Sequence, residues 1–150
     1  MKALALISGG LDSLLAARLI KEQGIEVRGL HFRIPFHPVG KKPLPPSGLE
    51  IEEVDIAQEF LGLLKNPRYG FGSQLNPCID CKIFMLKKAK ELMPQQEAAF
   101  IVTGEVLGQR PMSQHRQALE LIVHRAGLEG LVVRPLCARR LPETIPEKNG

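Results

Sequence analysis

Leu4-Ala5-Leu6-Ile7-Ser8-Gly9-Gly10-Leu11-Asp12-Ser13 decides the fold. Ala3 to Ile7 is a short unbroken apolar run, as expected of a strand buried on both faces of a parallel sheet. Gly9 and Gly10 carry no Cβ, so their backbone can approach a ligand closely. Leu11, Leu14, Leu15 and Leu19 then recur at helical spacing and predict an amphipathic helix with the leucines as its buried stripe; Gly24 is placed to end it. A glycine-rich turn opening a helix collects free N–H groups and the positive end of the helix dipole, which suits an anion. Ser8 and Ser13 add hydroxyl donors. Asp12 would repel a bare phosphate, so it calls for Mg²⁺ between carboxylate and phosphate oxygens. The Gly-Lys-Ser/Thr ending of a Walker loop is missing, and so is the G-x-G-x-x-G spacing of a dinucleotide fold.

Outward from this stretch, strands and helices alternate. Val27 to Phe32, Glu50 to Asp55, Ala98 to Thr103 and Leu131 to Arg134 read as further strands, with Glu50 to Asp55 polar enough for a sheet edge. Ala57, Phe60, Leu61 and Leu64 mark one helix, stopped by Asn66-Pro67. Met85, Leu86, Ala89, Leu92 and Met93 mark another, with Pro94 as its end. A further helix, capped by Ser113, buries Leu119, Ile122, Val123 and Ala126 and stops at Gly127. The expected architecture is α/β: a doubly wound, mostly parallel five-stranded sheet in a single domain over residues 1–150. Between 33 and 48 the prolines Pro35, Pro38, Pro43, Pro45 and Pro46 forbid the helix such a fold usually places there, leaving an extended basic loop. From about 139 the tail has no periodicity and is expected to be irregular.

No apolar run approaches the roughly 20 residues of a membrane span, and no targeting segment is visible, so the default location is cytoplasmic, with no membrane partner. Net charge is +4, and the excess is local. Lys65, Arg68, Lys82, Lys87, Lys88 and Lys90 face only Asp80 between 65 and 90, and six arginines face three glutamates between 104 and 140. These stretches are either solvated faces or a nucleic-acid surface. Three cysteines, Cys78, Cys81 and Cys137, argue against a disulfide framework. Cys78-x-x-Cys81 alone fits redox, zinc and iron–sulfur uses alike. The histidines, His31 among them, form no set with metal-ligand spacing.

Ser8-Gly9-Gly10-Leu11-Asp12-Ser13 resembles the S-G-G-x-D-S pyrophosphate loop of the PP-loop ATP pyrophosphatases, which cleave ATP between its α and β phosphates and adenylate a substrate. Asn76-Pro77-x-Ile79-x-Cys81-Lys82 resembles the cysteine motif of the tRNA thiouridylases within that superfamily. Thr103-Gly104-Glu105-x-x-Gly108-Gln109 resembles the strand-four loop of the tRNA 4-thiouridine synthases. The resemblance implies an ATP-dependent tRNA sulfurtransferase that adenylates a uridine, releases pyrophosphate and replaces oxygen by sulfur. It implies ATP contacts at Ser8, Gly9, Gly10, Asp12, Ser13, Phe32, Gly104 and Gln109, and Mg²⁺ on Asp12. Cys81, Cys78 and Cys137, with Asp12, would carry the chemistry. The cysteines act either through a persulfide on Cys81 or Cys137 resolved by a disulfide, or as three ligands of a [4Fe–4S] cluster. Lys82, Lys87, Lys88, Arg110 and Arg116 would contact tRNA phosphates. No separate RNA-binding domain is visible, so an RNA-binding subunit or a homodimer is expected beside tRNA and a sulfur donor. Two other readings share the loop: an ATP pyrophosphatase acting on a small molecule, and an adenine-nucleotide-binding module without turnover.

Overall fold

The computed structural model describes residues 1–8, 10–33, 48–65, 78–106 and 116–149. The proline-rich stretch, the Ser113 cap and Asn76-Pro77 lie outside them. Five strands form one all-parallel sheet in the order β3-β2-β1-β4-β5. They are β1 (Lys2–Leu6), β2 (Glu26–Arg33), β3 (Glu50–Asp55), β4 (Phe100–Val102) and β5 (Val132–Val133). The helices are α1 (Leu11–Glu22), α2 (Ala57–Lys65), α3 (Cys78–Gln96), α4 (Arg116–Ala126) and α5 (Ile145–Lys148). β1 is central, with Leu4 opposite both Arg28 and Ile101. The polar β3 is an edge, as its composition suggests.

Alternate residues of each strand feed the two sides of the sheet. Ala3, Ala5, Phe100, Val102 and Val133 pack with α1. Leu4, Leu30, Ile101 and Val132 pack with α3 and α4 through Leu86, Ala89, Ile122 and Ala126. β1 joins β2 on one side and β4 on the other, so the chain reverses direction across the sheet between β1 and β4. A crevice at the carboxyl ends of these two strands is where such a sheet takes a ligand.

Three expectations need correcting. The fully buried face of α1 is Ser13, Ala16, Ala17 and Ile20; of the leucines, Leu14 packs partly buried against the same core, while Leu11 is 79% and Leu15 43% exposed. Both sets have helical spacing, but small side chains let the helix lie close over Ala3 and Ala5, while the leucines fall on its flank. Leu61 is likewise exposed while Phe60 is fully buried. Second, α3 does not end at Pro94 but runs through it to Gln96. A proline in the last turn forfeits only one hydrogen bond of the ladder. The real stop is a Schellman closure: Ala98 N–H donates to Met93 O (3.0 Å) and Glu97 N–H to Pro94 O (3.2 Å), with Glu97 at φ +56°. Gly127, at φ +69°, closes α4 in the same way. Third, the tail is ordered into a 3₁₀ turn, Ala138–Arg140, and α5. Thr144 N–H (2.7 Å) and Oγ1 (2.6 Å) donate to Glu147 Oε2, and Ile145 N–H docks the segment on Gly130 O at 2.8 Å.

Candidate active site

The loop after β1 closes on itself. Ile7 N–H donates to Leu30 O (2.8 Å), and the buried His31 holds Ile7 O through Nδ1 at 2.7 Å; facing a carbonyl, that nitrogen is the protonated one. His31 had no role in the sequence reading. It fixes the residue that enters the loop. Ser13 Oγ donates to Gly10 O (3.0 Å) and accepts from Ser8 N–H (3.2 Å) and Ser8 Oγ–H (3.3 Å). Ser8 Oγ in turn accepts from Gly10 N–H at 3.3 Å. Each hydroxyl has one proton, and both protons are used inside the loop. The serines therefore build the loop's shape rather than offer hydroxyl donors outward. What remains outward is the start of α1, whose N-cap residue Gly10 supplies no side-chain cap, with Asp12 in its first turn. Gly9 lies outside the described residues.

Gly104 is fixed by contact. A Cβ there would lie 2.5 Å from Ser13 N and 2.6 Å from the carbonyl carbon of Asp12. The end of β4 thus rests directly on the Asp12–Ser13 peptide, and only glycine allows it. The next residue, Glu105, is 3% exposed. Its Oε2 accepts from Arg134 Nε at 3.0 Å, its Oε1 lies 3.8 Å from Lys82 Nζ, and its backbone oxygen accepts from Cys137 Sγ at 3.3 Å. Lys82 follows Cys81 in the first turns of α3, and Cys81, Cys137 and Asp80 are all buried. Two buried atoms beside this group, Thr103 Oγ1 and Arg134 Nη2, have no hydrogen-bond partner among the described residues. The pyrophosphate-loop segment, the cysteine-bearing start of α3 and Cys137 therefore share one wall made by Gly104 and Glu105. Sequence reading placed Glu105 within a motif but gave neither it nor Arg134 a role. A glutamate and an arginine at the ends of two buried strands were the available signal.

The other predicted residues are more scattered. Phe32 is buried in the core beside Leu30 and Ile56. Lys87 is exposed and makes no ion pair among the described residues. Lys88 pairs with Glu59 (2.7 Å) and Glu91 (3.6 Å). The hydrogen bond to Glu59 pushes its ammonium pKa up, with both carboxylate charges adding and desolvation opposing. Arg116 pairs with Glu120 at 3.6 Å on the surface of α4. The side chain of Cys78, and residues Gln109 and Arg110, lie outside the described residues. Among the described ones no three His, Cys, Asp or Glu side chains gather as metal ligands. Cys81 and Cys137 do not by themselves make a cluster site. Asp12 suits Mg²⁺, as a carboxylate in the first turn beside an anion-ready helix start. A cavity of about 490 Å³ lies between α4, β5 and the C-terminal segment, with Arg134, the partner of Glu105, in its wall. Four glutamates, Glu120, Glu129, Glu143 and Glu147, outnumber Arg134 and His124 in its lining, which disfavours a phosphate there.

A family model for the tRNA methyl transferase HUP domain matches residues 1–64. The tRNA-specific 2-thiouridylase MnmA of Nitratidesulfovibrio vulgaris is 38% identical over 53% of this chain and 25% of the relative. That of Petrotoga mobilis is 32% identical over 71% of this chain and 35% of the relative. Among solved structures, a 4-thiouridine synthetase in complex with RNA and ATP superposes with a TM-score of 0.67 at 21% identity, covering 91% of this chain and 37% of that one. The chain thus spans about a third or less of the length of these relatives. Fold and relatives agree on a PP-loop domain like that of the tRNA thiouridine synthases.

Proposed function

We propose that this PP-loop, tRNA thiouridine synthase-like domain binds ATP and uses it to thiolate a tRNA uridine. The observation that carries the reading is the shared wall. Gly104 packs on the Asp12–Ser13 peptide while Glu105, the next residue, ion-pairs with Lys82, beside Cys81, at 3.8 Å and accepts a hydrogen bond from Cys137. Nucleotide and cysteines would then meet at the carboxyl ends of β1 and β4.

A uracil carbonyl oxygen is a poor leaving group, and adenylation turns it into a good one. The α and β phosphates would sit at the loop of Ser8, Gly9, Gly10, Asp12 and Ser13, on the N–H groups at the start of α1 that the loop does not itself use. Ser8 N–H and Gly10 N–H are held by Ser13 Oγ and Ser8 Oγ and would shape the loop around the ligand. Mg²⁺ on Asp12 would offset the charge of the departing pyrophosphate. Phe32, being buried, would offer its main chain at the end of β2 to the adenine, and Gln109 would close the nucleotide site. Cys81, in the first turns of α3, would carry sulfane sulfur as a persulfide whose outer sulfur attacks the activated carbon and expels AMP. The Cys137 thiolate would then attack Cys81 Sγ, releasing the thiouridine and leaving a Cys81–Cys137 disulfide for an external dithiol to reduce. A helix N-terminus and an adjacent lysine both favour thiolate at Cys81. Exposed Lys87, with Lys88, Arg110 and Arg116, would meet tRNA phosphates. Lys82 is turned onto Glu105 instead.

The test is pyrophosphate release from MgATP with and without bulk tRNA. Release that depends on tRNA supports the reading. Release that ignores tRNA but follows a metabolite transfers the domain to small-molecule chemistry, and ATP binding without any release makes it a nucleotide-binding module.

A further inference from the structure

We propose that Glu105 is a positioning residue that ties the start of α3, and with it Cys81, to the nucleotide loop. The proposal rests on the thiolation reading and deepens it. Arg134 approaches through Nε alone, taking Oε2 at 3.0 Å, while its Nη2 finds no partner among the described residues. A fork-on-fork pair would have used both carboxylate oxygens. The one-pronged geometry leaves Oε1 for Lys82 at 3.8 Å. One carboxylate thus joins β5 to α3. The two arms are unequal: Arg134 is 9% exposed and Lys82 30%. Arg134 anchors the carboxylate in the core, and Lys82 is the outer arm that holds the helix.

The same residue is pinned along its backbone. Its neighbour Gly104 cannot back away from the Asp12–Ser13 peptide without opening the crevice, and the Glu105 carbonyl oxygen accepts a hydrogen bond from the Cys137 thiol. Three segments distant in sequence therefore have their separations set at one residue. Reaction between a bound adenylate and a cysteine-borne sulfur needs near-contact distances, and a displacement of about 1 Å costs on the order of a hundredfold in rate. A pair that served stability alone could lose its charge and leave turnover at saturating substrate intact.

The experiment compares wild type, Glu105→Gln, Lys82→Met and Lys82→Arg in the full chain. Three readouts are MgATP affinity by calorimetry, single-turnover sulfur transfer from a polysulfide donor, which supplies sulfane sulfur to the thiol, to an unmodified tRNA transcript, and amide hydrogen exchange without nucleotide or RNA. The expected result for Glu105→Gln is ATP affinity within about twofold and a KM for tRNA held, with transfer at saturation slower by about tenfold or more. Lys82→Met breaks only the outer, part-exposed arm and gives the same split, so the claim stays testable if Glu105→Gln does not fold. Lys82→Arg restores the pair and recovers the rate to within about threefold. In nucleotide-free Glu105→Gln, or in Lys82→Met, the amides of 79–84 exchange faster by about fivefold, while those of 14–20 do not change. Full-rate transfer in both charge-removing variants, a loss explained entirely by ATP affinity, or unchanged exchange at 79–84 overturns the proposal. If wild type transfers no sulfur to any tRNA, the thiolation reading fails on its own, and the exchange result still decides whether Glu105 ties α3.

Discussion

Gly104 and Asp12 carry the sharpest consequences for single side chains. Gly104→Ala would place a methyl 2.5 Å from a backbone nitrogen of α1, where no flexible side chain can yield. We expect a loss of about 1–3 kcal/mol in urea unfolding, together with weaker MgATP binding, because the helix start proposed to hold phosphate is the part displaced. Asp12 is half-buried in the first turn of α1 and supports no core contact, so Asp12→Ala should unfold at the wild-type temperature yet release no pyrophosphate. Full release by that variant would remove Asp12 from metal binding. The loop was legible in sequence because its spacing is local: Ser8 to Ser13 lie within six residues. What the serines do was not, since whether a hydroxyl points outward or back to Gly10 O depends on the turn's three-dimensional closure. Glu105, His31 and Arg134 were silent for a related reason. Their partners lie 23 to 29 residues away or belong to other elements, and no periodicity marks such pairs.

At the level of elements, strand positions could be read closely because parallel strands buried on both faces appear as apolar runs. Helix faces were harder. In α1 two stripes compete, and the sequence favours the larger side chains while the sheet favours the smaller. Ala16→Leu should therefore destabilise by about 1–3 kcal/mol, whereas Leu15→Ala, on a half-exposed flank, should change stability much less. Equal losses at the two sites would mean that α1 packs by its leucines after all. The end of α3 offers a second check. Glu97 holds a left-handed backbone, and its only ion pair is an exposed one to Lys2 at 3.6 Å among the described residues. Glu97→Gly should raise stability by up to about 1 kcal/mol in thermal melts, the left-handed strain relieved outweighing a surface pair. A fall would show that the ion pair matters more than the strain.

For the whole molecule, the sheet reversal between β1 and β4, the Gly104 contact and Glu105 bring the glycine-rich loop and the buried Cys81 and Cys137 to one edge. The basic stretches matter at this scale too. If Lys87, Lys88, Arg110 and Arg116 meet tRNA, the affinity should fall with salt by a log–log slope of about −0.7 to −0.9 per phosphate contact, and an affinity indifferent to salt would remove them from the interface. The measurement closest to the centre of the account is sulfur incorporation. Protein, MgATP, polysulfide carrying radiolabelled sulfane sulfur and tRNA lacking thiolated bases are incubated together, and the tRNA is then digested to nucleosides. The account predicts label in a thiouridine, formed only with ATP, matched one-to-one by pyrophosphate, and absent with Asp12→Ala or Cys81→Ser. Label that appears without ATP, or persists in Cys81→Ser at the wild-type level, would contradict it.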